Sequence, residues 1–270
     1  MAGRRNILKR RKNSLLIQSR DEEIVRVVYD YRFLSSWQIK NLSGFNSLKR
    51  ANDRLRKLFD NGFLSRRIFI NRSGKQLLYF LGPKAIEIIS SKTQIDPSEI
   101  RRKRMKALKA RDSFLSHFLF VNNFRYSLKM AVKKDSQAEI EAWRYKQVLF
   151  LAEEQKIFPD AYFRFRYSGE THNCFLEIDH SIESRERIRK KVEFYLDFGL
   201  FGDCERQLGF KYFRVLFVCK TLSRLKTILR IAERVSDKSF CWLTTEKNIV
   251  PERILTKIWL RPNREGVFSL

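Results

Sequence analysis

Residues 158–195 read FPDAYFRFRYSGETHNCFLEIDHSIESRERIRKKVEFY, and this stretch sets the architecture of the second half of the chain. Residues 158–166 are rich in aromatics and alternate with a period of two, and residues 174–180 repeat the pattern, so each predicts a strand. Ser168, Gly169 and Glu170 are a turn signal between them, and residues 184–200 predict a helix. Side chains two apart on a strand share a face, so Glu177 and Asp179 point the same way. A hairpin turning at Ser168 and Gly169 pairs positions summing to 337 and sets Asp160 opposite Glu177. Turning at Gly169 and Glu170 gives 339 and sets Asp160 opposite Asp179. Either register can bring three carboxylates together.

Like charges across a hairpin destabilise it, so a cation should neutralise them. The following helix supplies a candidate. At ~100° per residue, Ile188, Val192, Phe194, Tyr195, Leu196, Phe198 and Gly199 form one apolar arc. Arg185, Glu186, Arg189, Lys190, Glu193 and Asp197 fall on the other side, but Lys191 falls inside the apolar arc. A lysine on a core-facing stripe needs a partner, and the hairpin carboxylates are the nearest.

Three carboxylates beside a semi-buried lysine are what a Mg²⁺- or Mn²⁺-dependent phosphodiesterase requires. Asp160, Glu177 and Asp179 would ligate the metal through oxygen, which would polarise a phosphate and activate a nucleophile. Lys191 would stabilise developing charge. The same residues also read as a structural ion-pair cluster under a sheet, and spacing does not choose between the two.

The rest of the chain points to a polyanion. The 270 residues carry a net charge of +26, with a 43% hydrophobic fraction and 23 Phe that suffice for a packed core. Nucleic acid is the first partner this implies, and an acidic membrane surface the second. No apolar run approaches the ~20 residues of a membrane span, and the basic start lacks the apolar stretch of a secretory signal. Cys174, Cys204, Cys219 and Cys241 have no metal-ligand spacing and read as reduced, buried thiols of a cytoplasmic protein. His117, His172 and His180 are scattered. Residues 1–135 hold 32 Lys/Arg against 11 Asp/Glu, and the remainder hold 24 against 19. The first half is thus the electrostatic grip, and the second has room for acidic chemistry.

In chain order, residues 1–20 are a basic arm suited to phosphate contacts. Residues 21–91 predict a winged helix-turn-helix: helices over 21–33, 37–42 and 48–61, strands over 63–70 and 76–81, and a helix over 84–90. Leu48, Ala51, Leu55, Leu58 and Phe59 form the inward stripe of the third helix. Lys49, Arg50, Arg54, Arg56 and Lys57 fill the rest, and Arg72 and Lys75 mark the hairpin tip. That helix would enter the major groove of double-stranded DNA. A winged helix used for protein contact or dimerisation is the other reading. Residues 92–111 predict a basic helical connection, whose Arg101, Arg102 and Arg104 could track a phosphate backbone or simply face solvent, and whose helix could continue into residues 113–130. Residues 112–249 predict an alternating α/β domain with strands over 138–151, 158–166, 174–180, 212–219 and 240–244 and helices over 184–200 and 222–235. Glu141, on the first of these strands, could join the acids or stay exposed. Residues 250–270 predict an edge strand and tail. The whole is an α+β chain.

FPDAY, FLEID and the KxxxY of Lys191 and Tyr195, following a winged helix and a helix with His117, resemble the replication-relaxation family of mobile genetic elements over about residues 20–245. The order helix, three strands, helix, strand is also similar to the core of PD-(D/E)xK nucleases, which implies a restriction-endonuclease-like mixed sheet flanked by helices. By that resemblance Pro159 and Asp160 stand for PD and Glu177 for the second acid. Asp179 stands where the motif lysine would be, and Lys191 with Tyr195 fits the place some relatives use on the following helix. The resemblance implies binding at an origin-type site and metal-dependent nicking, as in a relaxase or replication initiator. The alternative is a non-catalytic origin-binding or relaxosome accessory factor. A homodimer and replication or transfer proteins are the further partners expected, and no membrane role follows.

Overall fold

The computed structural model describes residues 15–71, 74–145, 147–152, 154–180 and 183–270. The chain divides into two compact units, Met1–Asn122 and Asn123–Leu270.

In the first unit, local capping sets each helix. Helix α1 (Ser19–Tyr31) opens with a reciprocal cap between Gln18 and Asp21. The two-residue strand β1 (Leu34–Ser35) leads into α2 (Ser36–Leu42), where Ser35 and Gln38 cap one another. Ser47 caps α3 (Leu48–Asp60), and Gly62, at φ +86, turns the chain out of it. Strands β2 (Leu64–Asn71) and β3 (Gly74–Leu81) pair antiparallel, and β1 adds to β3, giving the order β1-β3-β2. Helices α4 (Ala85–Thr93) and α5 (Pro97–Leu108) follow. The segment expected as a basic connection is instead part of this unit's core: Ile100 is buried with Val25, Leu81, Ala85 and Ile89. Nor does its helix continue into α6 (Asp112–Val132). Arg67 donates to the Ala110 carbonyl at 2.8 Å and to Asp112 at 2.6 Å, and so secures the break.

The second unit is built on a seven-stranded mixed sheet. Strand β4 (Ala138–Tyr145) is followed by a small hairpin of β5 (Leu149–Leu151) and β6 (Gln155–Ile157), and then by β7 (Ala161–Tyr167) and β8 (Glu170–Asp179). Helices α7 (Arg185–Leu200) and α8 (Asp203–Leu208) lead to β9 (Arg214–Cys219), and α9 (Leu222–Val235) leads to β10 (Cys241–Thr245). The chain finishes with β11 (Trp259–Arg261) and β12 (Arg264–Phe268), so the expected edge strand is a hairpin. The order is β12-β11-β10-β9-β8-β7-β4. Strands β8, β9 and β10 run parallel, and the other pairings are antiparallel.

The single strand expected over 138–151 is broken. Strand β4 pairs with β7 only as far as Tyr145 opposite Ala161. Two residues before Ala161 comes Pro159, whose missing N–H cannot extend a ladder. Strand β8 starts four residues earlier than expected because the turn is tight: Ser168 and Gly169 both have positive φ, 48° and 84°, and pairing begins at Tyr167 and Glu170.

Alternation along the strands loads both faces of this sheet. Tyr162, Phe175, Val215, Phe217 and Leu243 pack with α7 and α9 on one side. On the other, Phe163 stacks on Trp143 (ring centroids 5.3 Å apart) and meets Phe124 from the later part of α6. The α+β class and the mixed sheet between helices agree with the sequence reading. No helix among the described residues is long and apolar enough to cross a membrane.

Candidate functional site

The hairpin adopts the register summing to 337, with Ala161 opposite Leu176. Asp160 sits just ahead of β7 rather than within it. Its N–H donates to the Leu176 carbonyl (3.0 Å), and its Oδ2 accepts from the Ile178 N–H (2.7 Å). Glu177 and Asp179 share the face of β8 that Phe175 turns toward α7 and α9, and both are buried.

Each of these two acids has its own cation. Lys191 Nζ donates to Glu177 Oε2 at 2.9 Å and to Glu183 Oε2 at 3.2 Å. Tyr195, fully buried, donates its hydroxyl to Glu177 Oε1 at 2.7 Å. The Arg224 guanidinium grips Asp179 through both carboxylate oxygens, at 2.8 and 2.9 Å, and reaches the Glu183 carbonyl at 2.7 Å. Burial pushes the Glu177 carboxyl up to about 7, with Lys191 pulling against it and Asp160 adding to it. Burial works against the Lys191 ammonium, but Glu177 and Glu183 outweigh it and its pKa rises. Burial, reinforced by Glu177, likewise raises the Tyr195 phenol. Asp160, Glu177, Lys191 and Tyr195 are thus drawn together, whereas Asp179 is drawn off by Arg224.

The donor set does not fit a three-carboxylate metal site as arranged. Both oxygens of Glu177 and both of Asp179 are taken by protein donors, and one oxygen of Asp160 caps a backbone N–H. Among the described residues no group of three or more His, Cys, Asp or Glu could hold a metal ion. Glu141 pairs with Arg164 at 2.7 Å. Glu183 and Arg224 were not singled out from the sequence. Arg224 could be found only by knowing that β9 runs parallel to β8, with Cys219 beside Asp179, which carries the first turn of α9 to that acid.

In the first unit the cations are sorted by the packing of α3. Ala51, Leu55, Leu58 and Phe59 are buried, and Lys49, Arg50, Arg56 and Lys57 are exposed on the remaining surface. Arg54 is committed elsewhere: its guanidinium pairs with buried Asp21, Nε to Oδ1 at 2.6 Å. Arg56 lies 3.8 Å from Asp60. Lys75 is exposed at the start of β3, and Arg72 lies outside the described residues. On α5, Arg101 and Arg102 are exposed and Arg104 is half-buried.

A sequence model of the replication-relaxation family matches residues 25–211. The chain belongs to the replication-relaxation family. The matched segment contains α3, the hairpin of Asp160 and Glu177, and the whole of α7, and stops short of Arg224. No curated protein and no solved structure matches the chain. Membership of the replication-relaxation family supports a role in the replication or transfer of a plasmid or other mobile element, in company with DNA and the replication machinery.

Proposed function

We propose that this member of the replication-relaxation family is a double-stranded-DNA-binding factor of mobile-element replication or transfer. Its first unit acts as a winged helix, with α3 in the major groove and the β2–β3 hairpin as the wing. Its second unit acts as a nuclease-like scaffold in which the acidic cluster is a structural ion-pair site. The observation that carries this reading is the outer surface of α3, where Lys49, Arg50, Arg56 and Lys57 stand exposed opposite buried Ala51, Leu55, Leu58 and Phe59; Leu48, expected on the inward stripe, is exposed in the first turn. The net charge of +26 supports it. The test is duplex affinity as a function of salt. Neutralising Lys49 and Arg50 should weaken binding across all sequences and flatten the slope of log K against log salt by about one unit per lost phosphate contact. Unchanged affinity and slope would remove α3 from the interface.

A second reading, a Mg²⁺- or Mn²⁺-dependent nickase, is favoured by the meeting of Asp160, Glu177 and Lys191. Supercoiled plasmid carrying the element's own origin separates the two. We expect it to stay supercoiled with either metal. Open circles that vanish with EDTA and in Asp160→Ala would establish the nickase instead.

A further inference from the structure

A second group of cations lies far along the chain from α3. Arg214 begins β9, Arg261 ends β11 and Arg264 begins β12, with Arg261 and Arg264 cross-strand neighbours. Arg214 and Arg261 share one aromatic platform, and Arg264 stands beside Arg261 across the strand pair. The guanidinium carbon of Arg214 lies 4.4 Å from the Trp242 ring centroid, and that of Arg261 lies 4.8 Å from Trp242 and 4.9 Å from Phe268. Ring stacking favours a guanidinium but supplies no acceptor for its N–H groups. Arg214 Nη1 and Arg261 Nε are buried with no hydrogen-bond partner. Arg261 reaches only the Ser239 carbonyl, at 3.5 Å. Among the described residues no carboxylate pairs with any of the three. The acid facing Arg214 is exposed Glu170, which stands 4.0 Å from His172 instead. Burial, with Arg264 and Arg214 repelling it, lowers the Arg261 pKa, and burial lowers that of Arg214. Buried donors without acceptors and like charges held close together are both unfavourable, and an oxyanion beside the guanidiniums would relieve both.

We propose that Arg214 and Arg261 on the Trp242–Phe268 platform, with neighbouring Arg264, form a phosphate-binding site, which takes a backbone phosphate of a nucleic-acid strand or a free phosphate ion. Oxygens of the phosphate would accept from the guanidinium N–H groups of Arg214 and Arg261, and exposed Arg264 would add a third cation. The site goes beyond the function proposed above: it belongs to the second unit and stands whether or not α3 binds DNA.

The test uses the full chain. Melting temperature is measured in inorganic phosphate and in chloride of matched ionic strength, for wild type, Arg261→Gln and Arg264→Gln. Phosphate should raise the wild-type Tm by a few degrees, since a ligand that binds only the fold stabilises it. The shift should be lost in Arg261→Gln and reduced in Arg264→Gln, whose exposed position keeps folding out of the comparison. A short single-stranded oligonucleotide, added to a Lys49→Gln/Arg50→Gln background, distinguishes the sources. Binding there that Arg261→Gln abolishes assigns the site to a strand, and a phosphate shift with no oligonucleotide binding assigns it to the free ion. Phosphate shifts that are equal in all three proteins, or absent from all three, overturn the proposal.

Discussion

Glu177 is the residue whose environment is most at odds with its charge. It is buried, and the Lys191 ammonium and the Tyr195 hydroxyl hold its two oxygens. Burial raises its pKa from the ordinary 4.5 to about 7, so the fold binds this proton more tightly than the unfolded chain does. The stabilisation from that proton is complete below about pH 4.5 and is lost as pH rises through about 7. The stability of wild type relative to Glu177→Gln should therefore fall between those limits and level off above them. Urea titrations across that range would show it, and a difference that rises with pH would reverse the assignment. Sequence reasoning reached half of this constellation. Lys191 stood out because a lysine on a core-facing helix stripe demands an anion, and the hairpin carboxylates were the nearest plausible source. Glu183 and Arg224 carried no such mark, because an acid ahead of a helix and an arginine in a first turn are ordinary until tertiary pairing gives them a target.

At the scale of elements, Gly82 shows what joins β3 to the end of α3. A Cβ there would lie 2.3 Å from the Gly62 carbonyl oxygen and 2.5 Å from the Phe63 carbonyl carbon. Both are backbone atoms, and they cannot yield as a flexible side chain would. The Gly82 N–H donates to the Phe63 carbonyl at 2.9 Å and the Lys84 N–H to the Gly62 carbonyl at 3.1 Å, so relief by moving the chain would cost hydrogen bonds as well. Gly82→Ala should destabilise the protein by about 1–3 kcal/mol, the usual cost of overpacking. A denaturant midpoint within error of wild type would show that the approach is looser than the geometry indicates. Elements with a local code were legible. Ser35 and Ser47 cap the helices that follow them, Ser184 caps the helix expected to begin with it, and the turn falls at Ser168 and Gly169, one of the two places the sequence allowed. Elements decided by a distant neighbour were not. The break after Tyr145 depends on what faces it across the sheet, and the break between α5 and α6 depends on Arg67, far back in the chain.

For the molecule as a whole, composition marked a strongly basic first half and a mixed second half. The two compact units divide inside α6, between Asn122 and Asn123, rather than in the basic segment before it. The four cysteines are free and buried, as their scattered positions suggested. The arginine platform on β9, β11 and β12 was invisible, because Arg214, Arg261 and Arg264 are brought together only by strand order.

Glu183 joins two helices through one residue: its side chain takes Lys191 of α7, and its carbonyl takes Arg224 of α9, which also clasps Asp179. Neither helix can lift from the sheet without stranding a charge that the other helps to bury. Their amide protons should accordingly exchange with solvent as one cooperative block, with closely similar opening free energies. Arg224→Met should speed exchange in α7 as well as in α9, whereas acceleration confined to α9 would show that the two helices open independently.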